Sequence, residues 1–266
     1  MELKGWDYTG RNIGPEFHRQ FRTMVEALSD PGFVGARTWG NSLQDSLADR
    51  MDTASSGAVR TVKKMCGNFG LIQENAFSSG TIPQRNAILT QRGEILFAAA
   101  VLEHQVQSSQ ELSDDSKKKA AAEIKRIYEE IYCDALTHYY YTYSDGTHLC
   151  PLRATVKALR KYRQLDKWEW YLLNTFVRHD DRPDEETAFD EMIAAYRNGD
   201  FQFTMADVAE KTKGHQYIPQ YFEYAGLVRV TQRPDWLIRE SNRHEDVKAN
   251  VLEDTFLDTL YHGGSV

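Results

Sequence analysis

The feature that most constrains the fold of this chain is a series of predicted secondary-structure elements that occurs twice in the same order. In each copy, an amphipathic helix is closed by a glycine and followed by a short apolar strand, a turn and a second strand. The first copy covers residues 57–89 and the second covers residues 205–239. The two stretches share the order of elements without repeating the same residues, so the recurrence is architectural.

Two helices precede the first copy. The helices are predicted at residues 15–30, 42–51 and 55–69, and the strands at residues 71–75 and 87–89. Gly70 closes the third helix, because glycine readily adopts the left-handed conformation that ends many helices. Thr90 is placed to cap the helix after the hairpin. Three helices followed by a hairpin form a winged helix, in which the third helix is the recognition helix and the hairpin is the wing.

The second copy is the sharper one. Asp166 and Glu169 have the spacing of a capping box, and Thr204 and Asp207 repeat it further along the chain. After these starts, the pattern predicts a helix at residues 216–225, strands at residues 227–231 and 236–238, a tight turn at residues 233–235 between them, and a terminal helix at residues 244–261. This order predicts a second winged helix.

The predicted fold is therefore mainly α with small β-hairpins, with two winged-helix (helix-turn-helix) subdomains joined by a long helical segment. A length of 266 residues suits one large domain or two small ones. The predicted domains are an N-terminal winged-helix DNA-binding subdomain at residues 1–108, a helical connector at residues 109–150, a second winged-helix subdomain at residues 151–243, and a C-terminal helix and tail at residues 244–266.

The sequence disfavours a membrane or secreted protein. No apolar run approaches the ~18 residues that a transmembrane helix needs, and the N-terminus lacks the apolar core of a signal peptide. The three cysteines lie far apart without metal-ligand spacing, which is typical of reduced thiols in a cytoplasmic protein. We therefore expect a cytoplasmic chain with no membrane partner and no metal site of its own.

Charge is distributed unevenly along the chain. The net charge is −7, yet basic residues outnumber acidic ones in residues 55–92, 153–167 and 211–239. The acidic residues concentrate in residues 180–210 and at the two ends. Basic residues thus coincide with the elements that a winged helix directs at DNA, where neutralising phosphates supplies much of the affinity. The alternative is that these are ordinary solvated surfaces.

The two winged-helix patterns yield a set of candidate contacts. Basic side chains on the recognition helices and wings would bind phosphates or enter the minor groove, and amides would read base edges. The predicted DNA-binding residues are Arg60, Thr61, Lys63, Lys64, Asn68, Arg85, Lys211, Lys213, His215, Gln216, Tyr217, Gln220 and Arg233.

One motif is typical of metal-dependent nucleases. Such enzymes hold Mg²⁺ with carboxylates and use a lysine beside them, often as PD followed by (D/E)xK. Residues 234–235 (PD) and 246–248 (DVK) match this pattern literally. We expect the first pair to lie in the wing turn and the second in a helix, whereas the chemistry needs adjacent strands. No catalytic residue is therefore assigned.

Several segments together resemble a known family. They are residues 56–71 (SGAVRTVKKMCGNFGL), 89–93 (LTQRG), 149–154 (LCPLRA), 172–173 (LL) and 224–228 (YAGLV). Spread over about residues 50–240, they resemble the winged-helix recognition region of type IIS restriction endonucleases. The resemblance implies tandem winged helices that recognise a DNA sequence and a separate cleavage domain that cuts at a fixed distance. No such cleavage domain is evident in the sequence.

We therefore expect sequence-specific recognition of double-stranded DNA, as the target-recognition region of a restriction endonuclease in a restriction-modification system. The expected partners are double-stranded DNA and a separate nuclease domain or subunit. No cofactor is expected in this chain, whereas Mg²⁺ is expected for the associated cleavage domain. Two alternatives remain: a winged-helix transcriptional regulator that dimerises on a palindrome, and a complete small Mg²⁺-dependent nuclease.

Overall fold

Helices dominate the chain, as the sequence predicts. The computed structural model describes residues 1–6, 10–34, 38–73, 76, 85–180, 182–209, 214–230 and 247–249. The chain divides into an N-terminal unit, Gly10–Ala135, and a C-terminal unit formed by Met1–Thr9 with Leu136–Val266. The division lies inside one long helix, whereas residues 109–150 were predicted to form a helical connector.

The N-terminal unit is built on a core of three helices. Its helices are α1 (Pro15–Leu28), α2 (Pro31–Val34), α3 (Asn41–Met51), α4 (Ser56–Asn68), α5 (Arg85–Ile88), α6 (Gln91–Ser108) and all but the end of α7 (Asp114–Thr137). Helix α1 packs against α3, α4 and α6. Met24, Leu47 and Val62 are fully buried, one on each helix of the core. The helical spacing of apolar residues predicted these faces.

Local signals determine where these helices begin and end. Pro15 occupies the first turn of α1, where its missing N–H has no partner to lose. The hydroxyl of Thr90 accepts a hydrogen bond from the N–H of Gly93 and caps α6. Gly70 follows α4 with a φ of 61°, in the left-handed region that favours glycine. All three signals confirm the prediction.

The turn between α3 and α4 is short. It contains the four residues 52–55, and Asp52 adopts a left-handed conformation with a φ of 52°. The N–H of Thr53 donates to the carbonyl oxygen of Ala48 and so satisfies an acceptor at the end of α3. The two helices contact each other, and both contact α1.

The first predicted hairpin is only partly formed in the described residues. Ile72 and Leu89 form one antiparallel bridge, and the N–H of Gln73 donates to the carbonyl oxygen of Ile88 at 2.8 Å. The strand predicted at residues 87–89 is wrong at its start, because α5 is a helical turn. Arginine and alanine both favour helix over strand, which explains the difference. The predicted turn at residues 78–80 lies outside the described residues.

The C-terminal unit combines helices with two small antiparallel sheets. In chain order its elements are the end of α7, β1 (Tyr141–Thr142), β2 (His148–Leu149), α8 (Pro151–Tyr162), β3 (Gln164–Leu165), α9 (Lys167–Phe176), α10 (Pro183–Asn198), a 3-10 turn (Met205–Asp207), α11 (Gly214–Tyr224), β4 (Val228–Val230) and β5 (Val247–Ala249). Strand β1 pairs with β2. The capping box of Asp166 and Glu169 opens α9, as predicted.

The second sheet places β5 between β3 and β4, and all its strands are antiparallel. In the backbone register, Lys248 is paired with Gln164 of β3 and with Arg229 of β4. The terminal helix predicted at residues 244–261 is therefore wrong at residues 247–249. Periodicity within the segment carries no information about its strand partners, which lie at residues 164–165 and 228–230. The predicted return strand at residues 236–238 lies outside the described residues.

The first six residues pack within the C-terminal unit, although the sequence analysis groups them with residues 1–108. Leu3 and Val208 form a parallel bridge. The indole N–H of Trp6 donates to the carbonyl oxygen of Val177 at 2.7 Å, and its ring lies edge-on to Trp170 at 5.4 Å. Such long-range pairing leaves no local trace in the sequence. In the described part of the chain, no helix is long and apolar enough to cross a membrane.

Candidate nucleic-acid interface

Helix α4 presents two different faces. Val59, Val62 and Met65 are fully buried, because their spacing places them on the face that contacts the core. Arg60 and Lys64 lie on the opposite face and are exposed. The predicted recognition helix is thus anchored by its apolar side while its basic side chains remain accessible.

The exposed face of α4 borders an open groove of about 730 Å³. Trp39, two residues before the start of α3, and the segment that follows α4 supply the rest of its walls. The groove is lined by Trp39, Arg60, Lys63, Lys64, Gly67, Asn68, Gly70, Ile72 and Gln73. None of these nine lining residues is acidic. Four of the predicted contact residues, Arg60, Lys63, Lys64 and Asn68, therefore share one basic groove.

Two of the cations in the groove are held in place by neighbouring side chains. A guanidinium nitrogen of Arg60 donates to the amide oxygen of Gln44 on α3 at 2.9 Å. The ammonium of Lys63 lies 4.8 Å from the centre of the Trp39 indole ring, within the range of a cation–π contact. Partial burial lowers the pKa of Lys63. A partly desolvated, positioned cation attracts an anion more strongly than a freely moving one in water.

The remaining residue of the first set, Thr61, has a local role. Its hydroxyl donates to the carbonyl oxygen of Gly57 one turn earlier, at 3.0 Å. Thr61 does not line the groove. The structure therefore brings together four of the five residues predicted on α4.

Trp39 is the aromatic residue of the groove, and it was not among the predicted contacts. It belongs to no apolar stripe and immediately precedes Gly40, the residue before α3. A large aromatic residue outside any helical pattern was the available signal. Its position beside α4 depends on the turn that brings α3 and α4 together.

The second predicted contact set is described only in part. Tyr217 and Gln220 lie on α11 and are half-buried, whereas Ile218, Tyr221 and Phe222 form its buried face. His215 and Gln216 belong to α11, and Arg85 belongs to α5, by backbone alone. Lys211, Lys213 and Arg233 lie outside the described residues.

The basic residues of α8 do not form a bare cationic face. Lys157 pairs with Glu186, and Lys161 pairs with Asp190, so α10 supplies an acid to each lysine. Arg153 lies 3.7 Å from the carboxylate of Asp180. A cavity of about 720 Å³ lies between α8 and α10. Three of the basic residues in 153–167 are therefore paired with acids from a later part of the sequence.

His179 and Asp180 have structural partners. A ring nitrogen of His179 lies 2.5 Å from a carboxylate oxygen of Glu185, whose other oxygen accepts the backbone N–H groups of Arg178 and His179. Asp180 accepts the backbone N–H of Cys150 at 3.1 Å. Within the described residues, no three His, Cys, Asp or Glu side chains form a group that could hold a metal ion.

No protein-family model, curated protein or solved structure matches this chain. The basic groove of α4 is thus the main basis for a functional assignment.

Proposed function

We propose that this chain recognises double-stranded DNA in a sequence-specific manner. The observation that carries the proposal is the groove of α4, in which Arg60, Lys63 and Lys64 share one surface and no lining residue is acidic. DNA binding draws much of its affinity from such clustered cations, even in a protein that is acidic overall.

The connection of α3 to α4 supports this proposal. Two packed helices joined by a turn of three to four residues are typical of the helix-turn-helix, whose second helix enters the major groove. Here the turn is residues 52–55, the second helix is α4, and α1 supplies a third helix behind them. The bridge between Ile72 and Leu89 lies where a wing would begin.

The C-terminal unit supports a second winged helix. Helix α11 is followed directly by β4, and β4 pairs with β5 as the two strands of a wing would. The earlier strand β3 completes the sheet on the other side of β5. In this proposal α11 is the second recognition helix, and Tyr217 and Gln220 are its described candidate contacts.

The more specific proposal is that the chain is the target-recognition region of a restriction endonuclease of the type IIS kind. Two winged helices on one chain would recognise a longer, asymmetric site than one could. Cleavage would come from a separate nuclease domain or subunit that uses Mg²⁺. The resemblance of residues 56–71 and 224–228 to that family supports this proposal.

One observation keeps the alternative of a small Mg²⁺-dependent nuclease open. The DVK motif was set aside because a helix was expected, yet Val247 and Lys248 lie in β5. A strand is the element that this metal centre needs for its lysine. The PD pair at residues 234–235 lies outside the described residues.

The test is the selection of bound duplexes from a random DNA pool at ~150 mM salt, where phosphate contacts alone do not dominate. An asymmetric consensus is the expected result, and no enrichment over bulk DNA would overturn the proposal. A palindrome bound by a stable dimer would favour the transcriptional regulator. The selected duplex is then incubated with Mg²⁺, and cutting by the chain alone would favour the nuclease.

Variants of α4 link binding to the groove. We expect Arg60→Ala and Lys64→Ala to weaken DNA binding, with Lys118→Ala as a charge-matched control on the exposed face of α7. Loss of a phosphate contact weakens all sequences alike, whereas loss of a base contact costs about 1–3 kcal/mol and relaxes one position. If all three variants bind DNA as tightly as the parent, α4 is excluded as the DNA contact.

A further inference from the structure

The basic groove contains a glycine that its own fold does not require. Gly67 lies in the last turn of α4 and is exposed. A Cβ atom at this position would meet no atom within 4 Å. Its φ is not in the left-handed region, so alanine would suit the backbone as well. Glycine is less favourable than alanine in a helix, so helix propensity does not explain a glycine here. Packing within the N-terminal unit does not explain it either, because the space around it is open.

Gly67 continues the row of cations on α4. Lys63 precedes it by four residues and Lys64 by three, so the three residues share one face of the helix. The side chains of Lys63 and Lys64 stand beside a stretch of bare helix backbone at Gly67. Such a surface lets another chain approach the helix closely between two positive charges.

Trp39 limits the positions that the Lys63 ammonium adopts. The ammonium lies 4.8 Å from the centre of the indole ring, and Lys63 is partly buried. Holding a lysine in one arrangement lowers the conformational entropy lost when it binds a partner. Trp39 is therefore placed as a positioning residue that acts through Lys63.

We propose that this groove holds one sugar–phosphate strand of the DNA duplex, with Gly67 admitting the backbone and Trp39 positioning Lys63 against a phosphate. The inference rests on the proposed DNA-binding function and names the part of DNA that contacts this site. A lysine suits a phosphate as a compact point charge, whereas base edges are best read by paired donors and acceptors. These contacts thus set the register of the protein on the duplex, and base reading falls to other side chains of the recognition helices.

The first test adds bulk at Gly67. Gly67→Ala and Gly67→Leu are compared with Ala121→Leu, which places the same leucine side chain at an exposed position of α7. Thermal unfolding and DNA affinity are both measured, on the selected duplex and on a scrambled one. We expect Gly67→Ala to unfold at the same or a higher temperature, because alanine favours helix. We expect Gly67→Leu to weaken binding to both duplexes by the same factor, and Ala121→Leu to bind like the parent.

The second test examines Trp39 through the salt dependence of binding. Trp39→Ala and Lys63→Ala should each reduce the slope of log K against log salt by about one, the change expected for one lost phosphate contact. The double variant should bind no more weakly than Lys63→Ala alone, because Trp39 acts through that lysine. Trp39→Phe keeps an aromatic face and should restore part of the slope.

The outcomes separate this proposal from the proposed function. If the parent selects a consensus and Gly67→Leu binds both duplexes normally, the groove is not the backbone site, although the chain still recognises DNA. If Gly67→Leu or Trp39→Ala relaxes one base position without changing the salt slope, the groove reads bases and the proposal is overturned. If the parent selects no DNA at all, both proposals fail.

Discussion

A Cβ atom at position 93 would lie 1.9 Å from the carbonyl oxygen of Leu71. The first turn of α6 therefore lies directly against the segment that follows α4. Two contacts of Thr90 hold this arrangement: its N–H donates to the Leu71 carbonyl at 3.1 Å, and its hydroxyl donates to the Gly70 carbonyl at 2.6 Å. The close approach places residues 70–73, one wall of the basic groove, relative to the rest of the N-terminal unit.

We expect Gly93→Ala to destabilise the N-terminal unit. The added methyl group meets backbone atoms, which cannot rotate away, and forced overpacking costs about 1–3 kcal/mol or more. Urea-induced unfolding measures the loss. Gly67→Ala is the matched control, because its Cβ enters open space. Equal urea midpoints for Gly93→Ala and the parent would contradict the packing of Gly93 on Leu71.

Asp166→Ala should destabilise the C-terminal unit. The Asp166 carboxylate accepts the N–H of Glu169 at 2.9 Å and the hydroxyl of Tyr196 at 2.9 Å. Loss of an N-cap costs about 0.5–2 kcal/mol. Asp184→Ala, an exposed acid in the first turn of α10, is the control and should change the free energy of unfolding by less than about 0.5 kcal/mol. A similar loss in both variants would mean that the cap is not the cause.

The stability of the N-terminal unit should decrease as pH falls below 6.5. His18 is fully exposed to solvent in the unfolded chain and buried in the fold; burial lowers its pKa from 6.5, and the carboxylate of Glu103, 3.4 Å from its Nδ1, opposes the shift only in part. The unfolded state therefore binds the proton more tightly. The stabilising contribution is complete above pH 6.5 and is lost progressively as pH falls toward the lower folded pKa.

Glu103 contributes in the same direction at lower pH. Partial burial raises its pKa, but the hydrogen bonds of His18 and Tyr128 outweigh that effect, and the pKa lies below 4.5. Its contribution is present above pH 4.5 and is lost as pH falls through the folded pKa.

His18→Gln tests the origin of the loss near pH 6. The variant should cost about 1–3 kcal/mol at pH 7.5, because the 3.0 Å contact between Nε2 and the Tyr132 hydroxyl is lost. The free energy of unfolding should then change less between pH 7.5 and 5.5 than in the parent. His104→Gln, at an exposed position of α6, is the control and should keep the full dependence. An unchanged pH profile in His18→Gln would exclude His18 as the group responsible.

The lysines of α8 should contribute little to DNA binding. Lys157 and Lys161 each pair with an acid on α10, so their positive charges are already balanced. The double variant Lys157→Ala, Glu186→Ala keeps the net charge and removes one pair. We expect its DNA affinity to stay within about twofold of the parent, whereas Lys64→Ala should lower the salt slope by about one. A loss comparable to that of Lys64→Ala would show that α8 contacts DNA.

Helix starts were the most predictable part of the fold. Pro15, Thr90 and the pair Asp166–Glu169 act through hydrogen bonds and sterics within about one helical turn, so their effect is contained in a few consecutive residues. The spacing of apolar residues in α4 likewise identified its buried face, and the exposed basic face is the opposite side of the same helix. Four residues of the candidate groove, Arg60, Lys63, Lys64 and Asn68, were therefore predictable.

The residues that complete the groove were not predictable. Trp39 and Gly67 line the groove only because the turn at residues 52–55 and the approach of Gly93 to Leu71 bring its walls together. The DNA-binding role of the groove stays a prediction, as do the contacts expected at Lys211, Lys213 and Arg233.

The sequence by itself determined the starts of α1, α6 and α9, the end of α4, and the division of α4 into a buried and a basic face. The physical reason is that periodicity, capping and left-handed glycine act between neighbouring residues. Only the tertiary structure decided that residues 247–249 form the central strand of a sheet, that α10 neutralises the lysines of α8, and that Trp39 lies against Lys63. These outcomes depend on pairing between segments far apart in the chain, and such pairing is selected by the packing of the whole unit.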